Sequence, residues 1–120
     1  MDLLLAIKSE AFAVALSASL PQYNVHICHT GTDALTFLET LRSDVLILDL
    51  CLPVKDGLSV LRETRYKPPV ILALTNLVTD KVLQDAVGAG AQDVLLVPCT
   101  LRYVLAHLDA LIEKAPSLEA

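Results

Sequence analysis

Asp49 closes the apolar run Val45-Leu-Ile-Leu48, which sets a carboxylate at the mouth of a strand flanked by residues built for burial. Such an Asp is more than a solubilising charge, because a charge beside apolar neighbours costs free energy unless something pairs with it. Lys8 follows the run Leu3–Ile7 in the equivalent place. Its ammonium beside Asp49 would form an ion pair, lower the carboxyl pKa and hold one conformation; a solvated Lys at the rim is the plainer reading. Ser9, Thr75 and Val97 are the other residues at strand ends. His26, Cys28 and His29 are metal-ligand types, but on a strand His26 and Cys28 share one face and His29 lies near its end. Their convergence on one ion is therefore poor. Cys28, Cys51 and Cys99 are an odd set without disulfide or zinc spacing, and packing as small hydrophobes is the default. Cys51 and Cys99 fall near strand ends, where a redox role is conceivable if a thiol pKa is low.

The elements that position these residues alternate along the chain. Strands are expected at Leu3–Ile7, Val25–Cys28, Val45–Leu48, Val70–Leu74 and Val94–Val97, and helices near Glu10–Leu20, Asp33–Leu41, Leu58–Arg65, Lys81–Ala89 and Leu101–Lys114. Near-continuous apolar strands suit a parallel sheet covered on both faces. Thr32 is placed to cap the second helix with Asp33 at its positive end; Thr79 or Asp80 serves the fourth and Thr100 the fifth. Gly57 breaks the chain before the third helix and Gly90 stops the fourth. Five β-α units make a doubly wound α/β fold with right-handed crossovers. Ligands in such sheets bind beyond the carboxyl ends of the strands, where Lys8, Ser9, Asp49, Thr75 and Val97 lie. Residues 1–114 form one domain, and 115–120 read as a frayed end or the start of a linker to an output domain.

Composition excludes several classes. The 120 residues are 54% hydrophobic and 19% charged, too apolar for disorder. The mean hydropathy of +0.57 hints at a membrane, yet no run approaches the roughly 20 apolar residues of a spanning helix. Asp2, Lys8 and Glu10 spoil the apolar N-terminus as a signal peptide, so a cytoplasmic location is expected. The net charge is −5 and the nine Lys and Arg are scattered, which disfavours nucleic acid and anionic membranes as partners of this domain.

The segment Asp44-Val-Leu-Ile-Leu-Asp-Leu-Cys-Leu-Pro-Val-Lys-Asp-Gly57 resembles the phosphoacceptor segment of CheY-like receiver domains of two-component response regulators. Its strand-end Asp49, Pro53 and Asp56-Gly57 match, as do Thr75, Gly90-Ala91, Asp93 and Pro98. The second strand and helix fit through Tyr23-Asn-Val25, Gly31, Ala34 and Leu35. The resemblance implies a flavodoxin-like sheet in order 2-1-3-4-5 and a signalling module rather than an enzyme. It also implies that Asp49 accepts a phosphoryl group from a histidine kinase or phosphotransfer protein, by carboxylate attack giving an acyl phosphate. An acidic pair holding Mg²⁺, a hydroxyl and a Lys would support that transfer. The Val97–Pro98 peptide is expected to be cis.

The sequence departs from that pattern. Lys8 and Ser9 fall where the acidic pair belongs, so Mg²⁺ is disfavoured: Asp49 and the Cys51 carbonyl hold it weakly, and Glu10 adds a ligand only if the register slips by one. No metal is assigned. Val97 stands for the Lys and Val94 for the aromatic switch residue. The remaining phosphate pocket is Thr75, Asn76 and Lys8, with Asn76 in place of a small residue.

The family's signalling surface is the fourth helix, fifth strand and fifth helix. Leu77, Val78, Val94, Leu101, Arg102 and Tyr103 mark it here, with Val104, Leu105 and Leu108 turned to the core and Leu101 and Tyr103 turned outward. The expected function is an atypical receiver in two-component or phosphorelay signalling that acts by protein contact. Its partners are a histidine kinase or phosphotransfer protein, another regulatory protein, or a second copy through that face. The alternative is a pseudo-receiver interaction module never phosphorylated. A nucleotide- or flavin-binding enzyme of the same topology lacks its Gly-rich loop.

Overall fold

The computed structural model describes residues 1–115. Strands and helices alternate without exception: β1 (Asp2–Ala6), α1 (Glu10–Ala18), β2 (Asn24–Cys28), α2 (Gly31–Thr40), β3 (Val45–Asp49), α3 (Gly57–Glu63), β4 (Val70–Thr75), α4 (Asp80–Ala89), β5 (Asp93–Leu96) and α5 (Leu101–Glu113). All strand pairs are parallel, as the apolar runs predict, and the order is β2-β1-β3-β4-β5, as the resemblance implies. The expectation for 115–120 falls outside the described residues, except for Ala115, which packs against the core.

Strand alternation divides the apolar residues into two layers. Leu4, Ala6, Leu46, Leu48, Ile71 and Ala73 face Ala34, Leu38, Val60, Leu61 and Ala86 of α2, α3 and α4. Leu3, Leu5, Val45, Ile47, Leu72 and Leu74 face Ala13 and Leu16 of α1 and Val104 and Leu108 of α5. Both faces are covered, which is why these strands read as unbroken apolar runs.

Capping oxygens set the helix starts. Thr79 and Thr100 accept hydrogen bonds from the Val82 and Tyr103 amides, as expected. The cap of α2 is Thr30 rather than Thr32: its Oγ1 accepts from the Asp33 amide at 3.1 Å, and the helix already runs at Gly31. Packing makes that choice. A Cβ on Gly31 would stand 1.7 Å from the Lys55 carbonyl oxygen, and its amide donates to the Pro53 carbonyl at 3.2 Å. The third helix likewise includes Gly57 instead of starting after it, with Asp56 capping the Ser59 amide at 2.9 Å. A Cβ on Gly57 would lie 2.6 Å from the Asp49 carbonyl oxygen. Gly90 ends α4 at φ 120°, and the Val97–Pro98 peptide is cis, both as expected.

Candidate functional site

The sheet places the site before any side chain is considered. The chain runs from β1 outward to β2, then crosses to β3 on the other side of β1, so the gap between β1 and β3 is the topological switch point. Ala6 lies beside Leu48 across that gap, and Lys8 and Asp49 follow on the two sides of its mouth.

Asp49 is held there by backbone. Its Oδ2 accepts from the Lys8 amide at 3.2 Å and its Oδ1 from the Cys51 amide at 2.8 Å. The expected Lys8–Asp49 ion pair does not form. The ion pairs of the described residues are His26–Asp2, Lys55–Glu63, Lys81–Asp85 and His107–Asp93. Lys8 is exposed and offers Asp49 its amide instead of its ammonium. The reason is geometric: an amide at the strand end reaches the carboxylate with no side-chain ordering, whereas a long ammonium in water gains little by being fixed.

The neighbouring groups are committed elsewhere. Ser9 Oγ caps α1 by accepting from the Phe12 amide at 3.2 Å. Buried Thr75 both donates to the Leu77 carbonyl and accepts from the Leu77 amide, each at 3.2 Å, so its hydroxyl braces the loop after β4. Asn76 is exposed and its Oδ1 accepts from the Cys51 thiol at 3.3 Å. Lys55 Nζ, the cation of the β3–α3 turn, lies 2.6 Å from Glu63. Glu10 is exposed at the start of α1 and lines neither cavity at the mouth.

Two adjoining cavities share Asp49. One, about 350 Å³, is rimmed by Lys8, Ser9, Asp49, Cys51, Asn76 and Val97. The second, about 320 Å³, lies between α1 and the β5–α5 loop, lined by Ile7, Phe12, Leu74, Val97, Pro98 and Cys99 as well as Asp49, Ser9 and Asn76. The strand ends thus bring Lys8, Asp49, Cys51 and Asn76 to one cavity, whereas Thr75, expected in the same pocket, lines neither cavity because its hydroxyl is turned to Leu77. The sequence reading missed the apolar lining of Ile7, Phe12, Leu74 and Cys99; Val97 in place of a Lys is the signal that could have found it. A further concavity of about 340 Å³ opens on the α3–α4 side, where Thr75 lies with Leu58, Arg62 and Val82.

A divalent ion of the Mg²⁺ type asks for several hard oxygen ligands. The mouth supplies a single carboxylate, and both of its oxygens already accept amides. Among the described residues no group of three or more His, Cys, Asp and Glu is placed to hold an ion. His26 meets Asp2 at 3.4 Å and packs its ring by Phe37, while His29 Nδ1 donates to the Ile7 carbonyl at 2.8 Å. Burial and the nearby Asp33 push the Cys28 thiol up to about 12, and burial raises Cys99 as well. Those two thiols are therefore poor nucleophiles.

The α4–β5–α5 side carries exposed apolar groups: Leu77 and Val78 before α4, Val87 on it, Leu96 on β5 and Tyr103 on α5. Arg102 is exposed beside Tyr103. Two expected members differ. Leu101 is half-buried, because it begins the inward stripe continued by Val104, Leu105 and Leu108. Val94 packs inward against the α2–α4 layer, and Leu96, two residues on and 53% exposed, takes the outer position. Beneath Tyr103, His107 Nδ1 meets Asp93 Oδ2 at 2.7 Å, and the Tyr103 and His107 rings lie 4.5 Å apart.

The family model for the response regulator receiver domain matches residues 8–109. The chain is 33% identical over 101 residues to the transcriptional regulatory protein TrcR of Mycobacterium tuberculosis, covering 81% of this chain and 38% of that protein. It is 34% identical over 106 residues to the response regulator MprA of the same organism, covering 87% and 46%. The chain thus spans less than half the length of these relatives. Among solved structures, the chemotaxis protein CheY4 of Vibrio cholerae superposes with a TM-score of 0.82 at 27% identity, over 92% of this chain and 97% of that one. A CheY-like receiver domain from Methanospirillum hungatei reaches 0.87 at 18% identity over 97% and 96%, a likeness of fold alone.

Proposed function

This chain belongs to the response regulator receiver domain family of two-component signalling, and on that premise we propose that it is an atypical receiver whose output is protein contact through α4, β5 and α5. The observation that carries the reading is the state of Asp49. It keeps the acceptor position and its backbone donors, yet no side-chain cation of the described residues pairs with it.

Phosphoryl transfer to a carboxylate brings an anionic nucleophile to an anionic group, and catalysis depends on cations and donors that absorb the charge. With Val97 for the Lys, Lys8 and Ser9 for the acidic pair and Thr75 tied to Leu77, that support is thin, and Mg²⁺ has a poor seat. The partners that fit are a histidine kinase or phosphotransfer protein docking at the mouth, another regulatory protein, or a second copy on the exposed apolar face. The same thinness favours a second reading, a pseudo-receiver whose Asp49 is never phosphorylated.

Incubation with acetyl phosphate and Mg²⁺ followed by intact-mass measurement separates the two. The atypical receiver gives slow, substoichiometric phosphorylation that disappears in Asp49→Asn. Absence of any adduct supports the pseudo-receiver. Rapid stoichiometric phosphorylation defeats both. The contact face is tested in parallel: Leu96→Glu with Tyr103→Glu should abolish self-association or partner capture while leaving the circular dichroism spectrum intact.

A further inference from the structure

The cavity under Asp49 has a chemistry of its own. Its floor is Ile7 and Leu74, 2% and 1% exposed, and its sides are Phe12, Val97, Pro98 and Cys99. At about 320 Å³ it falls in the range of small-molecule sites, which are mostly apolar with a few polar groups fixing orientation. Asp49 is the single carboxylate on this lining, and no Lys, Arg or His lines it. A carboxylate has about four lone-pair positions, and the Lys8 and Cys51 amides take two of them.

Each class of ligand can be tried against that arrangement. An anion meets Asp49 with no cation on this lining, and the nearest, the Lys8 ammonium, stands exposed on the rim of the adjoining cavity, where water screens it. A purely apolar body fills the sides but strips water from the carboxylate without replacing it. A hard divalent ion finds one carboxylate among apolar neighbours. A monocation that carries both N–H donors and an apolar body satisfies every part: its donors meet the open lone pairs of Asp49, and its body covers Phe12, Leu74 and Val97. A charge-assisted N–H···O contact of this kind is among the stronger hydrogen bonds.

We propose that the cavity between α1 and the β5–α5 loop binds a small organic ammonium, an amine bearing an aromatic or branched aliphatic body, with Asp49 as its counter-ion. The site needs no phosphoryl chemistry and no metal. It is also connected to the contact face, because Pro98 and Cys99 run directly into Thr100, the cap of α5. An occupant therefore presses on the segment that sets the start of the helix carrying Tyr103.

The test uses isotopically labelled protein titrated with 2-phenylethylamine, and separately with 2-phenylethanol and phenylacetate as neutral and anionic matches of the same body. The amine should give saturable amide shifts at Lys8, Cys51 and Cys99 and a rise in melting temperature; the alcohol should bind at least tenfold more weakly and phenylacetate more weakly still. Asp49→Asn should remove the preference for the amine over the alcohol. Val97→Lys, which supplies a resident ammonium to the same cavity, should abolish amine binding while the spectrum shows a folded chain. The proposal is overturned by an amine response equal to that of phenylacetate, by an amine preference that survives Asp49→Asn, or by no response at these residues in the folded protein.

Discussion

The turn after β3 and the mouth beside it lie within a few residues of each other and are built in opposite ways. The turn is locked by backbone: Gly31 and Gly57 admit the Lys55 and Asp49 carbonyls at distances no side chain would tolerate, and Gly31 donates to Pro53. The mouth is lined by side chains, and there Val97, Ser9 and an outward Lys8 leave Asp49 with no side-chain partner among the described residues. The contrast teaches that a strand-end carboxylate can be oriented by main chain alone. Orientation and chemical support are separable properties of this fold.

The largest expected effect attacks the locked region. Gly31→Ala should destabilise the chain by about 3 kcal/mol or more, since its Cβ collides with backbone, whereas Val97→Thr at the mouth should cost under about 1 kcal/mol, because Val97 is half-exposed and its new hydroxyl reaches water. Urea unfolding midpoints compare the two directly, and similar losses would erase the distinction.

The thiols draw the same contrast by pH. Folding holds the Cys28 proton up to about 12 against an ordinary value of 9.0. Between those values the folded chain binds more protons than the unfolded one, so stability is intact below about pH 9 and falls as pH rises through that window. The Cys28 share of that slope should reach at most about 1.4 kcal/mol per pH unit; Cys28→Ala should lose that share and keep the part that Cys99, Tyr23 and Tyr66, also raised by burial, contribute. Denaturation curves at several alkaline pH values, taken with reductant, check this; identical slopes in the two proteins would remove the assigned cause.

The smallest effect is a gain. Val54, between Pro53 and Lys55, holds φ at 71° while the Lys55 amide donates to the Pro53 carbonyl at 2.8 Å. A β-branched residue is strained there, and the strain is of order 1–3 kcal/mol. Val54→Gly should therefore stabilise the protein by about 1 kcal/mol after the added unfolded-state freedom of glycine is subtracted. A lowered urea midpoint would show that the locked turn is not strained at its tip.

Much of this was legible in the sequence. The five apolar runs announced a doubly covered parallel sheet because burial on both faces leaves no polar alternation, and Thr79, Thr100 and Gly90 marked helix ends through local hydrogen bonding and backbone freedom. Asp49 stood out for the same local reason. What escaped depended on contacts distant in the chain. Thr30 and Thr32 are equivalent as caps until the β3–α3 turn packs on Gly31. Lys8 looks like an ion-pair partner because its residue type advertises the ammonium, while the working group is an amide every residue possesses. Val94 was misplaced because its burial depends on packing against the α2–α4 layer, whereas Leu96, two residues on along the same strand, stays exposed.

The sheet that separates the two apolar layers also behaves as a bulkhead. Asp49 follows the alternation of Val45 and Ile47 toward α1 and α5, whereas Thr75 follows Ile71 and Ala73 toward α3 and α4. A wedge driven in beside Asp49 loads one compartment, and a movement of the Thr75 loop loads the other, with five close-packed strands between them. Mechanically the domain is two shallow chambers sharing one wall, and β5, four residues long, is the shorter of its two edge planks.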